Sequence, residues 1–148
     1  MNQNFVLILV LLIMLSIVNA IPHQLHKRKT KFGSCGLSPV LDVSVSPDPI
    51  VANKNATYTI SGILKKDITD AYQVFILYYV DGAEGGNNQN FDICTKIKCP
   101  VKAGTKFEMK QKSLVPPGLP PNGYDIGVGI DTKDNSKFEL IGSACTHV

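Results

Sequence analysis

From Leu41 to the last cysteine, apolar residues recur with a period of two, and no stretch shows a stripe at the helical period of 3.6. Alternation puts successive side chains on opposite faces of an extended strand, so such a chain must bury one face of a sheet. Leu41, Val43 and Val45 alternate with Asp42, Ser44 and Ser46, and Pro47-Asp48-Pro49 ends that run. Ala56, Tyr58 and Ile60 alternate with Thr57, Thr59 and Ser61, and Tyr72 to Val80 follows, apolar on both faces at its centre. Phe107 and Met109 alternate with Lys106, Glu108 and Lys110; Tyr124, Ile126, Val128 and Ile130 alternate with Asp125, Gly127, Gly129 and Asp131. A last strand is expected over Lys137 to Cys145, entered through the turn Lys133-Asp134-Asn135-Ser136. Six or seven short strands separated by Pro- and Gly-rich turns argue for an antiparallel β-sandwich.

The N-terminus has a different composition. An apolar run from Phe5 to Leu15 is followed by Val18-Asn19-Ala20, small residues before a cut, which predicts a secretory signal over residues 1–20. The run is short of the roughly 20 residues that a membrane span needs. Residues 21–32 then read as a basic leader, carrying His23, His26, Lys27, Arg28, Lys29 and Lys31. Lys27-Arg28 is a dibasic pair, so this stretch is either a pro-segment or an uncut solvated tail. Four of the 15 basic residues lie here, leaving eleven against 12 acids in the rest, so the pI of about 8.6 says little about the folded body. Residues 33–148 are enough for one domain with a core and too few for two.

Secretion bears on the four cysteines, because an oxidising compartment turns thiols into disulfides. Cys94 and Cys99 close a short loop that Pro100 and Gly104 terminate, and a structural bridge is expected there; no other cysteine or histidine lies near enough in sequence to complete a metal site. Three pairings are possible. Joining Cys94 to Cys99 leaves Cys35 for Cys145, which ties the two ends of the domain together. Asn55-Ala56-Thr57 is an Asn-x-Thr sequon at the start of a strand, so Asn55 is expected to carry a glycan.

The inventory speaks against several activities. His23 and His26 fall in the leader and His147 is the second-last residue, which leaves no histidine in the sandwich as a general base. With the cysteines paired there is no thiol nucleophile, so no catalytic residue, metal or cofactor is expected. Lys96, Lys98, Lys102, Lys106, Lys110 and Lys112 gather against Glu108 alone. They suit either transient contact with an anionic membrane surface or protection of an edge strand. The cluster has no arginine and secretion removes the encounter, so nucleic acid is not an expected partner. A monomer is expected. An ordinary immunoglobulin domain is a poor match, since the chain has no Trp and its cysteines are wrongly spaced for an inter-sheet bridge.

In order and spacing, Cys35, Val43-Ser44-Val45-Ser46-Pro47-Asp48-Pro49, Cys94, Cys99-Pro100-Val101-Lys102-Ala103-Gly104, Pro120-Pro121-Asn122-Gly123-Tyr124 and Cys145 resemble the ML (MD-2-related lipid-recognition) domain family. That family includes Niemann-Pick type C2 sterol carriers and secreted phosphatidylglycerol/phosphatidylinositol transfer proteins. The sterol carriers have a further disulfide near the start, for which this chain has no cysteines, so the resemblance tilts to the phospholipid branch. It implies an all-β, immunoglobulin-like antiparallel sandwich with an internal lipid cavity, taking a phospholipid or sterol ligand. The destination would be outside the cell or the lumen of the secretory or endolysosomal pathway. By the resemblance, Tyr58, Ile60, Val74, Ile76, Tyr78, Phe107, Met109, Val128 and Ile130 are the expected pocket residues; alternation alone favours a solid core. Leu114 to Pro121 is apolar and stiffened by proline. It is either a polyproline-like connector or, by the resemblance, the pocket entrance, where Val115 and Leu119 would touch a bilayer. The competing class is a structural or adhesive sandwich with a filled core, recognising a partner through Phe75, Leu77 and Tyr79.

Overall fold

The computed structural model describes residues 30–36, 39–84 and 88–148. The signal and all but the last three residues of the expected leader lie outside them. The described residues form eight strands: β1 (Asp42–Ser46), β2 (Asn55–Ile63), β3 (Tyr72–Val80), β4 (Ala83–Glu84), β5 (Gln89–Asp92), β6 (Lys106–Leu114), β7 (Tyr124–Thr132) and β8 (Leu140–His147). A three-stranded sheet has the order β1-β2-β6. The five-stranded sheet runs β4-β3-β7-β8, with β5 pairing β3 beyond β4 on the same edge. Every pairing within the two sheets is antiparallel. This is the immunoglobulin-like sandwich that the alternation and the resemblance predict.

Patterning explains which faces meet. On β6 the side chains alternate strictly, Lys106, Glu108, Lys110 and Lys112 outward and Phe107, Met109, Gln111 and Ser113 inward. On β2 Ala56, Tyr58 and Ile60 point in, and on β3 Val74, Ile76 and Tyr78 meet them from the other sheet. The centre of β7 is buried on both faces. Its Gly129 has no side chain because the Phe75 ring lies over it: a Cβ there would stand 2.3 Å from that ring.

Four boundaries differ from those expected. Strand β6 continues through Gln111 and Ser113, where the inward positions turn polar and the apolar signal stops. The last strand begins at Leu140 rather than Lys137, since Asn135–Lys137 forms a 3-10 turn in which the Asp134 side chain accepts from the Ser136 N–H at 2.9 Å. The Gly-rich loop after β3 contributes β4 and β5 to the sheet edge. Thr30 to Phe32, expected in the leader, are attached to the domain. The Thr30 backbone N–H and hydroxyl donate to the Asp48 carboxylate at 2.8 and 2.6 Å, and the Phe32 ring meets the Tyr58 ring edge-on at 6.5 Å.

Two disulfides sit at the periphery. Cys35 is joined to Cys145, Cα atoms 5.1 Å apart, where Gly33 and Cys145 exchange backbone hydrogen bonds of 2.8 and 2.9 Å. Cys94 is joined to Cys99, Cα atoms 5.4 Å apart, around a 3-10 turn capped by Asp92. The chain after it is held to the segment following β2: Ile68 and Val101 exchange backbone bonds, and Asp67 accepts from the Ala103 N–H and from Lys102 Nζ, each at 2.8 Å. Gly104, at φ +77°, then turns the chain into β6.

Candidate functional site

All nine expected pocket residues are buried and face one another across the two sheets, Tyr58 and Ile60 from β2, Val74, Ile76 and Tyr78 from β3, Phe107 and Met109 from β6, Val128 and Ile130 from β7. No charged side chain is among them. Neither disulfide crosses the space they share, so the inner faces are held by packing and hydrogen bonds alone.

Those hydrogen bonds form a chain between the sheets. The Tyr58 and Tyr78 hydroxyls are 2.9 Å apart, and the Tyr78 hydroxyl is 3.2 Å from Ser113 Oγ. Burial pushes both phenols up from their ordinary range, with Tyr78 adding to the effect at Tyr58. They are therefore neutral donors and acceptors at physiological pH and do not serve as bases. Beside Tyr58, as its cross-strand partner on β6, stands Gln111. Its Nε2 donates to the Lys112 carbonyl at 2.7 Å, while its buried Oε1 has no partner. Gln111 and Ser113 are not among the expected pocket residues; position parity marks them, since both continue the inward series of Phe107 and Met109.

At the end of the sandwich nearest Tyr58, the loop 114–121 packs differently from the expectation. Val115 is 0% exposed and Leu119 9%, so in this structure neither faces outward to a bilayer. The cause is the backbone: Val115 N–H donates to the Lys54 carbonyl at 2.9 Å and its carbonyl accepts from the Asn53 N–H at 3.1 Å. This clamp turns the Val115 side chain inward and leaves Leu114, 43% exposed, outward; Val51 of the neighbouring loop is exposed as well. Asn55, at the start of β2, is exposed.

The lysines are spread along a strand rather than gathered at that loop. Lys106, Lys110 and Lys112 line the outer face of edge strand β6, and Lys98, Lys102 and Lys106 border an open depression of about 460 Å³ at its far end. Lys102 is partly spent on Asp67, whose carboxyl this contact holds below the usual range. On the outer face of the five-stranded sheet, Phe75, Leu77, Tyr79, Phe138 and Leu140 border a second open depression of about 240 Å³. Among the described residues no group of three or more His, Cys, Asp or Glu side chains is placed to hold a metal ion.

Comparison with known proteins agrees with this architecture. A phosphatidylglycerol/phosphatidylinositol transfer protein of Candida albicans is 33% identical over 100 residues, 64% of this chain and 50% of that protein, so the match spans about half the relative's length. A putative phosphatidylglycerol/phosphatidylinositol transfer protein 2 of Dictyostelium discoideum is 27% identical over 128 residues, 79% of this chain and 88% of that protein. Chicken MD-1, solved in complex with lipid IVa, superimposes with a TM-score of 0.52 at 15% identity, covering 78% of this chain and 85% of that one, a likeness of fold alone. The family model for the ML domain matches residues 29–146, which takes in both sheets and the segment from Thr30 that they hold; by that match this chain belongs to the ML-domain family.

Proposed function

We propose that this protein binds one lipid between its two sheets and carries phospholipid, phosphatidylglycerol or phosphatidylinositol, between membranes. The observation that carries the reading is the charge-free inner surface of Tyr58, Ile60, Val74, Ile76, Phe107, Met109, Val128 and Ile130, crossed by no covalent link. Acyl chains bind such a surface by burial, at roughly 25 cal/mol per Å² of apolar area, and leave no polar group of their own unpaired. The names of the two curated relatives support the phospholipid assignment. Exposed Leu114 and Val51 make the end of the sandwich near Tyr58 the membrane-contacting end, in place of the buried Val115 and Leu119, which line its inside. The outward lysines of β6, spread along the strand, draw the protein as a whole to anionic bilayers.

Labelled phosphatidylinositol and phosphatidylglycerol, with cholesterol in parallel, are to be followed between vesicles. Phospholipid transfer, faster from anionic donors and slowed by salt, is the expected result. Transfer of sterol alone would move the protein to the sterol branch. Failure to transfer any of them, with no lipid seen by native mass spectrometry, would sink the carrier reading and leave the filled-core alternative. Passage through the secretory pathway accompanies this function. An exposed Asn55 then carries a glycan, seen as a mobility shift of the secreted protein on treatment with an amide-cleaving glycosidase.

A further inference from the structure

Asn55 opens β2, and in the register of β2 with β6 its cross-strand partner is Leu114. Directly opposed residues of an antiparallel pair hold their Cβ atoms about 4.5–5.5 Å apart on one face of the sheet. Both stand outward, since their inward neighbours are Ala56 on β2 and Ser113 on β6, and both are exposed. We propose that a glycan on Asn55 covers Leu114 and Val51 and slows membrane contact, so that occupancy of this sequon sets how fast the protein exchanges lipid. The proposal rests on the carrier reading and on the contacting end assigned there, and adds to them how that end is regulated.

The backbone brings these residues to one corner. Lys54 N–H donates to the Val51 carbonyl at 3.2 Å, closing a turn in which Asn53 has φ +58°. That turn lies against the loop after β6, because the Lys54 carbonyl accepts from Val115 N–H at 2.9 Å and Asn53 N–H donates to the Val115 carbonyl at 3.1 Å. Asn55 therefore follows the residue that the turn and the loop share, with Leu114 across the ladder from it. Within the sequon, Asn55 and Thr57 share the outward face while Ala56 is buried.

Size and polarity decide what a glycan does there. The first sugar is joined to Asn55 Nδ2, and the chain that grows from it is bulky and strongly hydrated. Leu114 and Val51 favour membrane contact only by leaving water for the interface. Bringing them to it presses the sugar hydroxyls against the bilayer, and stripping water from several hydroxyls without replacing their hydrogen bonds costs more than one leucine and one valine recover. The glycosylated form is thus held off where the glycan-free form is not. An uncharged glycan leaves the attraction between the outward lysines of β6 and an anionic bilayer in place, so its influence on transfer is short in range and independent of salt.

The test follows labelled phosphatidylinositol between vesicles of phosphatidylcholine and phosphatidylglycerol. It uses the full-length secreted protein, produced with high-mannose glycans, before and after an endoglycosidase that leaves one N-acetylglucosamine on the asparagine. Trimming keeps the polypeptide unaltered and introduces no charge. The trimmed protein is expected to transfer several-fold faster, by the same ratio at low and high salt, and Asn55→Gln to match it. In the protein carrying both Val51→Asp and Leu114→Asp, the ratio of trimmed to untrimmed transfer is expected to fall close to one. Equal transfer by the trimmed and untrimmed forms of the unaltered chain overturns the proposal and leaves the carrier reading standing. A gain on trimming that persists in the doubly substituted protein overturns it as well, as does a secreted protein with no glycan on Asn55. The comparison in the unaltered chain decides the matter even if a variant fails to fold. Absence of transfer by every form, the trimmed one included, removes the carrier reading and the proposal together.

Discussion

Asp131 is the carboxylate whose ionisation its surroundings oppose most. It lies on β7 opposite Gln73, only 9% exposed, with its Oδ1 lacking any partner. Burial pushes its carboxyl above the ordinary value of 3.8, and the hydrogen bond from Gln73 only partly counters this. The folded protein therefore holds this proton to higher pH than the unfolded chain does, so stability falls as pH rises from about 3.8 through the folded value, and the full penalty stands at neutral pH. Asp131→Asn keeps the shape and removes the charge. It should raise stability by about 1 kcal/mol at pH 7 in urea unfolding, and the gain should vanish below pH 3.8. A gain that grows in acid would contradict this account. Gln111 Oε1 is another buried oxygen without a partner, but there the neutral amide has no ionisation to relieve it.

At the scale of elements, β6 and the loop that leaves it divide the labour. Along the strand, rising about 3.4 Å per residue, lysines alternate outward while the inner face passes from Phe107 and Met109 to Gln111 and Ser113. The loop is then clamped through the backbone of Val115 to Lys54 and Asn53. Two sets of substitutions separate surface from support. Val51→Asp with Leu114→Asp should leave the melting transition nearly unchanged and slow transfer between vesicles several-fold, since both side chains are exposed. Val115→Asp should cost about 3 kcal/mol or more, because it buries a carboxylate with no cation beside it. Unimpaired folding of Val115→Asp would show that the loop opens readily and would return Val115 to the membrane-facing role.

Over the whole molecule, the two disulfides differ in how much of the chain they constrain. The Cys35–Cys145 bridge spans 110 residues of sequence and fastens the N-terminal segment to β8, whereas Cys94–Cys99 spans 5 and shapes one corner. In the chain-entropy model a loop of about 100 residues is worth roughly 4.7 kcal/mol and one of five about 2. Replacing Cys35 and Cys145 together by Ala should accordingly lower the urea midpoint more than replacing Cys94 and Cys99, and the reverse order would refute it. Both bridges lie outside the core, so neither loss removes a link between the two inner faces.

Alternation alone was enough to read most of this architecture, because a period of two is a local consequence of strand geometry and needs no partner strand. It placed β1, β2, β3 and β7 and the nine inward residues from Tyr58 to Ile130, and spacing named the two disulfides. It broke off at Gln111 for a physical reason. Apolarity marks an inward position only where the interior is apolar, and at that end of the sandwich Tyr78, brought across from the other sheet, meets Ser113 hydroxyl to hydroxyl. The side of the loop that faces water was equally out of reach, since the hydrogen bonds that Val115 donates to the Lys54 carbonyl and accepts from the Asn53 N–H join segments some 60 residues apart. Composition sets which residues tolerate burial; which of Leu114 and Val115 is buried depends on contacts that exist only after the sheets have met.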